Sequence, residues 1–235
     1  MTRARWGALG AILLVILAAA AFAIARGHRS PTAKPRLALL TSLPIVLGED
    51  FSLKTNGSPA LSALSAEFQV APISTTSSKE LAKVRLLLMA QPPAQTPQNL
   101  VALDDWVRTG GRLLLLADPL LEWPSKRPLG DPLRPSPMFV DTGLLAHWGL
   151  RLDAPDRRGP AERRLAGHRI VTVSPGALFG RCVISADRLV ADCRIGKGRA
   201  IIVSDADLLD VADLGPAAEE NLPAMTRQLA QLANR

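Results

Sequence analysis

The chain predicts an α/β domain with a mostly parallel sheet flanked by helices, preceded by one N-terminal transmembrane helix. Three observations carry that reading. Trp6–Ala25 is a run of twenty uncharged residues, which as a helix reaches about 30 Å, the thickness of a bilayer's hydrocarbon core. Val84–Met89 and Arg112–Ala117 are continuous apolar strands of the kind buried on both faces. Between them lies an amphipathic helix closed by Gly110-Gly111, so strand, helix and strand succeed one another with the short turns of a βαβ unit.

The expected organisation is an anchor over residues 1–26, a polar, proline-containing linker over 27–35 and a folded domain over 36–235. Arg3 and Arg5 precede the apolar run and Arg26 and Arg29 come after it, placing cations where anionic headgroups lie. Two readings fit residues 1–25: an uncleaved anchor, or a signal peptide leaving at Ala21-Phe22-Ala23 or Ala23-Ile24-Ala25. The heavier positive flank on the C-terminal side favours a cytoplasmic-facing domain. N-terminal spans of this kind commonly act as signal-anchors that export the domain behind them. The expected location is the cell inner membrane, single-pass, with the soluble domain periplasmic and a cytoplasmic-facing domain as the alternative.

The net charge of +7 does not indicate nucleic-acid binding. Residues 1–36 hold six Lys/Arg and no acid, whereas the remainder holds 22 basic and 21 acidic residues. Tyrosine is absent and Trp and Phe together number nine, so platforms for stacking bases are scarce. The two cysteines sit in alternating segments around Asp187-Arg188. A hairpin centred there places Cys182 opposite Cys193, which suits either a disulfide or two small buried thiols. A bridge would fit an oxidising compartment.

In chain order, Arg36–Leu43 is a strand. Asn56-Gly57-Ser58-Pro59 starts a helix that runs through Leu61, Leu64 and Phe68, with Pro59 suited to its first turn. Gln69–Ile73 is a second strand, Ser78–Lys83 a brief helix and Val84–Met89 a third strand. Thr96-Pro97 opens the helix whose stripe is Leu100, Leu103, Trp106 and Val107. From Pro119 to Pro137 six of nineteen residues are proline, which excludes a regular helix or inner strand. The segment at about 119–140 reads as an insertion over the sheet edge. Asp141–Trp148 is a short helix, and an arginine-rich loop comes next at about 151–169. There Arg151, Arg157, Arg158, Arg163, Arg164 and Arg169 exceed the acids by three, which reads as a solvated face or as a surface for an acidic partner or lipid. Ile170–Val173, the cysteine hairpin, Arg199–Ser204 and a closing helix over about Asn221–Ala233 complete the domain.

Signatures of catalysis fail one by one. Gly196-Lys197-Gly198 lacks the earlier glycine and the following Ser/Thr of a phosphate-binding loop. Thr109-Gly110-Gly111 follows a helix rather than a strand. No Gly-x-Ser-x-Gly is present, His28, His147 and His168 are scattered, and zinc spacing is missing. No cofactor or metal is expected. One constellation stands out, because ligands of parallel α/β sheets bind outside the carboxyl ends of the strands. Thr41, Ser42, Gln91, Asp118, Asp205 and Asp207 fall there. Converging carboxylates and hydroxyls would hold a polar ligand or cation, whereas Asp at a strand end more often caps the following turn.

The segment NLVALDDWVRTGGRLLLLADP, Asn99–Pro119, resembles the helix, Gly-Gly, apolar strand, Asp-Pro unit of amidotransferase-like auxiliary domains of uncharacterised ABC transporters, such as the gliding-motility accessory proteins. GKGRAIIVSDADLL, Gly196–Leu209, with Glu220-Asn221-Leu222 and a closing helix after it, resembles the end of a related bacterial domain of unknown function. Together these cover about residues 36–118 and 195–235. The resemblance implies a class I glutamine-amidotransferase-like, flavodoxin-like layered fold without the amidotransferase chemistry. The strand ending at Met89-Ala90-Gln91 has no cysteine nucleophile, in keeping with that implication. The function expected is a membrane-anchored, non-enzymatic accessory or binding component of an ABC-type transport or envelope system, with the membrane, ABC transporter subunits or other envelope proteins as partners. The alternative is a metal-dependent hydrolase built on Asp118, Asp205 and Asp207.

Overall fold

The computed structural model describes residues 33–46, 48, 57–128 and 130–234. The predicted anchor with its flanks Arg3, Arg5, Arg26 and Arg29, and all but the end of the linker, lie outside the described residues. Among the described residues no helix is long and apolar enough to cross a membrane.

The domain is built on a seven-stranded sheet. Strand β1 (Arg36–Thr41) lies between β2 (Gln69–Pro72) and β3 (Leu86–Ala90), and β4 (Arg112–Leu116) is next to β3. Then come β11 (Gly198–Val203), β10 (Val190–Ile195) and β9 (Val183–Ile184). The first five are parallel; β10 runs antiparallel to β11, and β9 antiparallel to β10. Growth of the sheet reverses between β1 and β3, which is a topological switch point.

Alternation along the strands separates two cores. Leu37, Leu39, Leu88, Leu114 and Val203 pack on one face against α1 (Pro59–Glu67) and the closing helix α5 (Asn221–Ala233). Ala38, Leu40, Leu87, Leu115 and Ile202 pack on the other against α2 (Ser78–Leu81) and α3 (Pro97–Arg108). The result is three layers, helix on sheet on helix. Local chemistry sets the helix starts. Ser58 Oγ accepts from Leu61 N and Thr96 Oγ1 from Asn99 N, each one residue ahead of a proline in the first turn. Gly110, at φ +121°, ends α3, and Gly198 admits the α3 backbone so closely that a Cβ would lie 1.9 Å from Val107 O.

Two expectations are corrected. The arginine-rich segment is not a loop: β6 (Pro160–Leu165) and β7 (His168–Val173) form an antiparallel hairpin. Its turn, Ala166-Gly167, has positive φ at both residues, +49° and +86°, as a tight two-residue hairpin requires. Ala-Gly is not the usual signal for that turn, and Arg163 between Ala161 and Leu165 conceals the alternation. The proline-rich segment, in turn, does not cover an edge strand. It lies over the carboxyl ends of central strands, with Gln91 Nε2 donating to Ser136 O and Phe139 N to Asp118 O. A short helix α4 (Leu144–His147) then leads to β5 (Leu150–Asp153), which pairs with β8 (Ala177–Gly180).

Cys182 and Cys193 are disulfide-bonded, with Cα atoms 4.8 Å apart, and tie the edge strand β9 to β10. A bridge across eleven residues of sequence stabilises by about 3 kcal/mol in the chain-entropy account. Reduction, or the paired change Cys182→Ser with Cys193→Ser, is therefore expected to lower the melting temperature by roughly 6–10 °C. Calorimetry with and without reductant measures it.

Candidate functional site

The strands β1, β3, β4 and β11 deliver their last residues to one end of the sheet, where the proline-rich segment covers them. Each polar side chain there is turned onto backbone. Thr41 Oγ1 donates to Ala90 O at 2.7 Å and accepts from Leu43 N at 2.9 Å. Ser42 Oγ donates to Gln91 O. Gln91, fully buried and at φ +42°, donates through Nε2 to Asp118 O and Ser136 O, both at 3.2 Å. Its Oε1 accepts from Asp118 N at 3.0 Å, so the amide has both donors and its acceptor engaged.

The carboxylates behave alike. Asp118 accepts from Leu120 N at 2.8 Å and from Ala206 N at 2.9 Å. Asp205 accepts from Thr172 Oγ1 at 2.6 Å and from Leu208 N at 2.9 Å. Asp207 Oδ2 accepts from Glu122 N at 2.9 Å. They join the insertion and the β11 exit into one bonded unit. Asp118, Asp205 and Asp207 stand near enough to repel one another. Burial pushes the Asp118 carboxyl up to about 6, against the main-chain N–H bonds that favour its charge. Burial, with Asp118 beside it, takes Asp207 up to about 7. The same two causes hold Asp205 well above the usual carboxylate range. Among the described residues no three His, Cys, Asp or Glu side chains are grouped so as to hold a metal ion. Of the carboxylates that a metal-dependent hydrolase would use, Asp118 and Asp205 cap local turns, while Asp207 accepts from the distant Glu122 N through Oδ2 and leaves its buried Oδ1 without a hydrogen-bond partner.

The hydroxyls of Thr41 and Ser42 also face a cleft of about 250 Å³, walled by Pro44, Val46, Pro72 and Leu133. Asp205 and Asp207 do not line it. The predicted group therefore divides: Gln91, Asp118, Asp205 and Asp207 form one buried cluster, and Thr41 and Ser42 border a separate opening.

Sequence reasoning missed four participants. Ser174, at φ +46°, accepts from Gly159 N and donates to Glu122 Oε1, clasping the insertion to the β6–β7 hairpin. Thr172 supports Asp205. Asn221 acts as a substitute strand partner. Its Oδ1 accepts from Val171 N at 3.0 Å, while Nδ2 donates to Val171 O at 2.7 Å and Leu208 O at 2.8 Å. The signal for Asn221 was its place in the family-like ending; Ser174 and Glu122 carried none, because their pairing spans 52 residues.

Two outcomes are expected. Asn221→Leu leaves three main-chain groups unpaired and should cost about 3 kcal/mol or more in denaturant unfolding. The raised carboxyls keep protons in the fold that the unfolded chain has released, so stability is fully present near pH 4 and is lost as pH rises through about 6 to 7. That loss should be on the order of 2–4 kcal/mol between pH 5 and 8. Asp207→Asn should raise the melting temperature at pH 8 and flatten the profile; a melting temperature that climbs from pH 5 to 8 would refute the arrangement.

No curated protein matches the sequence. Among solved structures, an exo-β-1,4-mannosidase from an Opitutaceae bacterium superposes with a TM-score of 0.52 at 16% identity. That match covers 88% of this chain but 38% of the mannosidase, so the chain spans well under half of that protein's length. A cytoplasmic protein of Salmonella typhimurium superposes with a TM-score of 0.50 at 12% identity, over 84% of this chain and 98% of the other. At these identities the likeness is one of fold alone. A family model described as an ABC-type uncharacterized transport system matches residues 34–155. That stretch is just over half of the sequence, spans β1 through β5 and contains the Gln91–Asp118 lock, and on it the chain belongs to this family of ABC-type transport systems as an auxiliary component.

Proposed function

We propose that the chain is a membrane-anchored, catalytically degenerate amidotransferase-like domain that serves an ABC-type transport or envelope system by binding rather than by chemistry. The observation that carries this reading is the commitment of the strand-end side chains to the main chain. Gln91 stands at the strand-to-loop position where an amidotransferase-like fold would present its nucleophile, and its amide closes that position instead of offering a reactive atom. Membership of an ABC-transport family supplies the system. The apolar run Trp6–Ala25 supplies the tether, and the Cys182–Cys193 bridge supports a periplasmic domain over a cytoplasmic-facing one.

The insertion supports a protein partner, since it exposes Leu133, Met138 and Val140 within eight residues, the first two at 57% each. Photocross-linking from position 133 or 138 in intact membranes, read by mass spectrometry, is expected to capture a permease or ATPase subunit of an ABC system. Adducts confined to unrelated soluble proteins would refute the proposal. So would glutamine or ester hydrolysis by the full-length chain that Asp118→Asn abolishes.

A further inference from the structure

The opposite end of the sheet carries a concentration of exposed cations. Arg112 on β4 is in register with Arg199 on β11, and Arg199 with Arg194 on β10. Leu86 on β3 is level with both Arg112 and Leu37, so the preceding residues Arg85 and Arg36 face one another one step further out. A row of arginines thus crosses five strands where the parallel ones begin, and Lys83 and Lys197 extend it from adjoining turns.

Asp192 neutralises Arg199, and Asp104 neutralises Arg108. Arg36, Lys83, Arg85, Arg112, Arg194 and Lys197 form no ion pair among the described residues. All are exposed except the half-buried Arg112, whose guanidinium donates to Gly110 O and Lys197 O. Glu67 and Asp105 are the exposed acids near this end, leaving an excess of four positive charges. A groove of about 440 Å³ runs between Arg112, Arg194 and Lys197. A second, of about 520 Å³, runs between Lys83, Arg85 and the half-buried Trp106, whose indole N–H donates to Val84 O. Cations around a partly open indole are the residue types that favour a headgroup layer.

The polypeptide also enters the domain here, at Arg36. The nine linker residues 27–35 span at most about 30 Å when fully extended. A bilayer gripping Trp6–Ala25 is therefore within their reach of the basic end.

We propose that this end of the sheet is a docking surface for the phosphates of an anionic bilayer, a proposal that rests on the anchor reading above and deepens it by naming what the domain rests on. Each Lys or Arg brought to such a surface strengthens association roughly fivefold, and the attraction decays within a Debye length. Docked this way, the proline-covered end faces away from the lipid, toward the soluble portions of neighbouring subunits.

Hydrogen exchange of the full-length chain in nanodiscs of phosphatidylcholine, with or without phosphatidylglycerol, tests the proposal. Residues 108–112 and 194–199 are expected to exchange severalfold more slowly on the anionic discs, with 119–128 unchanged. High salt should abolish the difference, as should the exposed-residue variant Lys83→Gln, Arg194→Gln, Lys197→Gln. Equal exchange in both lipids overturns the proposal, as does protection at 119–128. Salt-sensitive capture of an acidic transporter subunit without any lipid preference overturns it as well. Should the chain enter neither disc, the anchor reading fails separately, and vesicle sedimentation then reads the basic end by itself. Sedimentation with phosphatidylglycerol vesicles alone supports the proposal; sedimentation with neither composition overturns it.

Discussion

Burial on both faces of the four central strands governs the rest of the domain. β1, β3, β4 and β11 place their interior side chains in one or other of two apolar cores, so nothing along them can carry polar chemistry. Polar groups are confined to the two ends of the sheet. There the ladder stops and main-chain N–H and C=O groups must find other partners, since a buried group left unpaired costs about 1–3 kcal/mol. At the carboxyl end Asp118, Asp205, Asp207 and Gln91 supply those partners. At the amino end the strands open onto arginine and lysine.

The carboxyl end is costly to build and holds because it is over-determined. Gln91 and Ser174 both occupy left-handed backbone conformations, which cost a side-chain-bearing residue about 1–2 kcal/mol. Each is pinned by bonds on two sides: Gln91 to Asp118 and Ser136, Ser174 to Gly159 and Glu122. Burial raises the pKa of all three acids and Asp118 adds to the shift of the other two, a pattern seen at catalytic centres. Here the same acids accept main-chain N–H bonds, one closing a local turn and two tying distant segments together, and these hold a proline-rich segment that has no ladder of its own. A perturbed carboxyl marks burial and crowding first, and function only when a reacting atom can reach it.

Elements with strong local signals were legible in the sequence. The helix Pro97–Arg108 announces itself through Thr96-Pro97 at one end and Gly110-Gly111 at the other. The apolar runs of β3 and β4, bounded by turn residues, read as buried strands. The hairpin at Ala166-Gly167 was not legible, because an alanine sits where the turn needs a positive φ and an arginine interrupts the apolar face. β8 was missed as well, since it pairs with a strand far back in the chain, Ala177 opposite Asp153 and Gly180 opposite Leu150. At the candidate site, residue types and strand-end placement were readable for Gln91, Asp118, Asp205 and Asp207. Their partners were not, because Glu122, Thr172 and Ser174 make their bonds across 33 to 85 residues of chain.

The sequence by itself determined the layered class, the parallel units and the absence of familiar catalytic spacing, because periodicity and turn chemistry are properties of neighbouring residues. Only the tertiary structure decided that the conspicuous aspartates would be bonded to main-chain N–H groups, that the proline-rich segment would cover the strand ends, and that scattered arginines would line up across five strands. Those outcomes depend on register between strands far apart in the chain, and register is settled when the two cores pack.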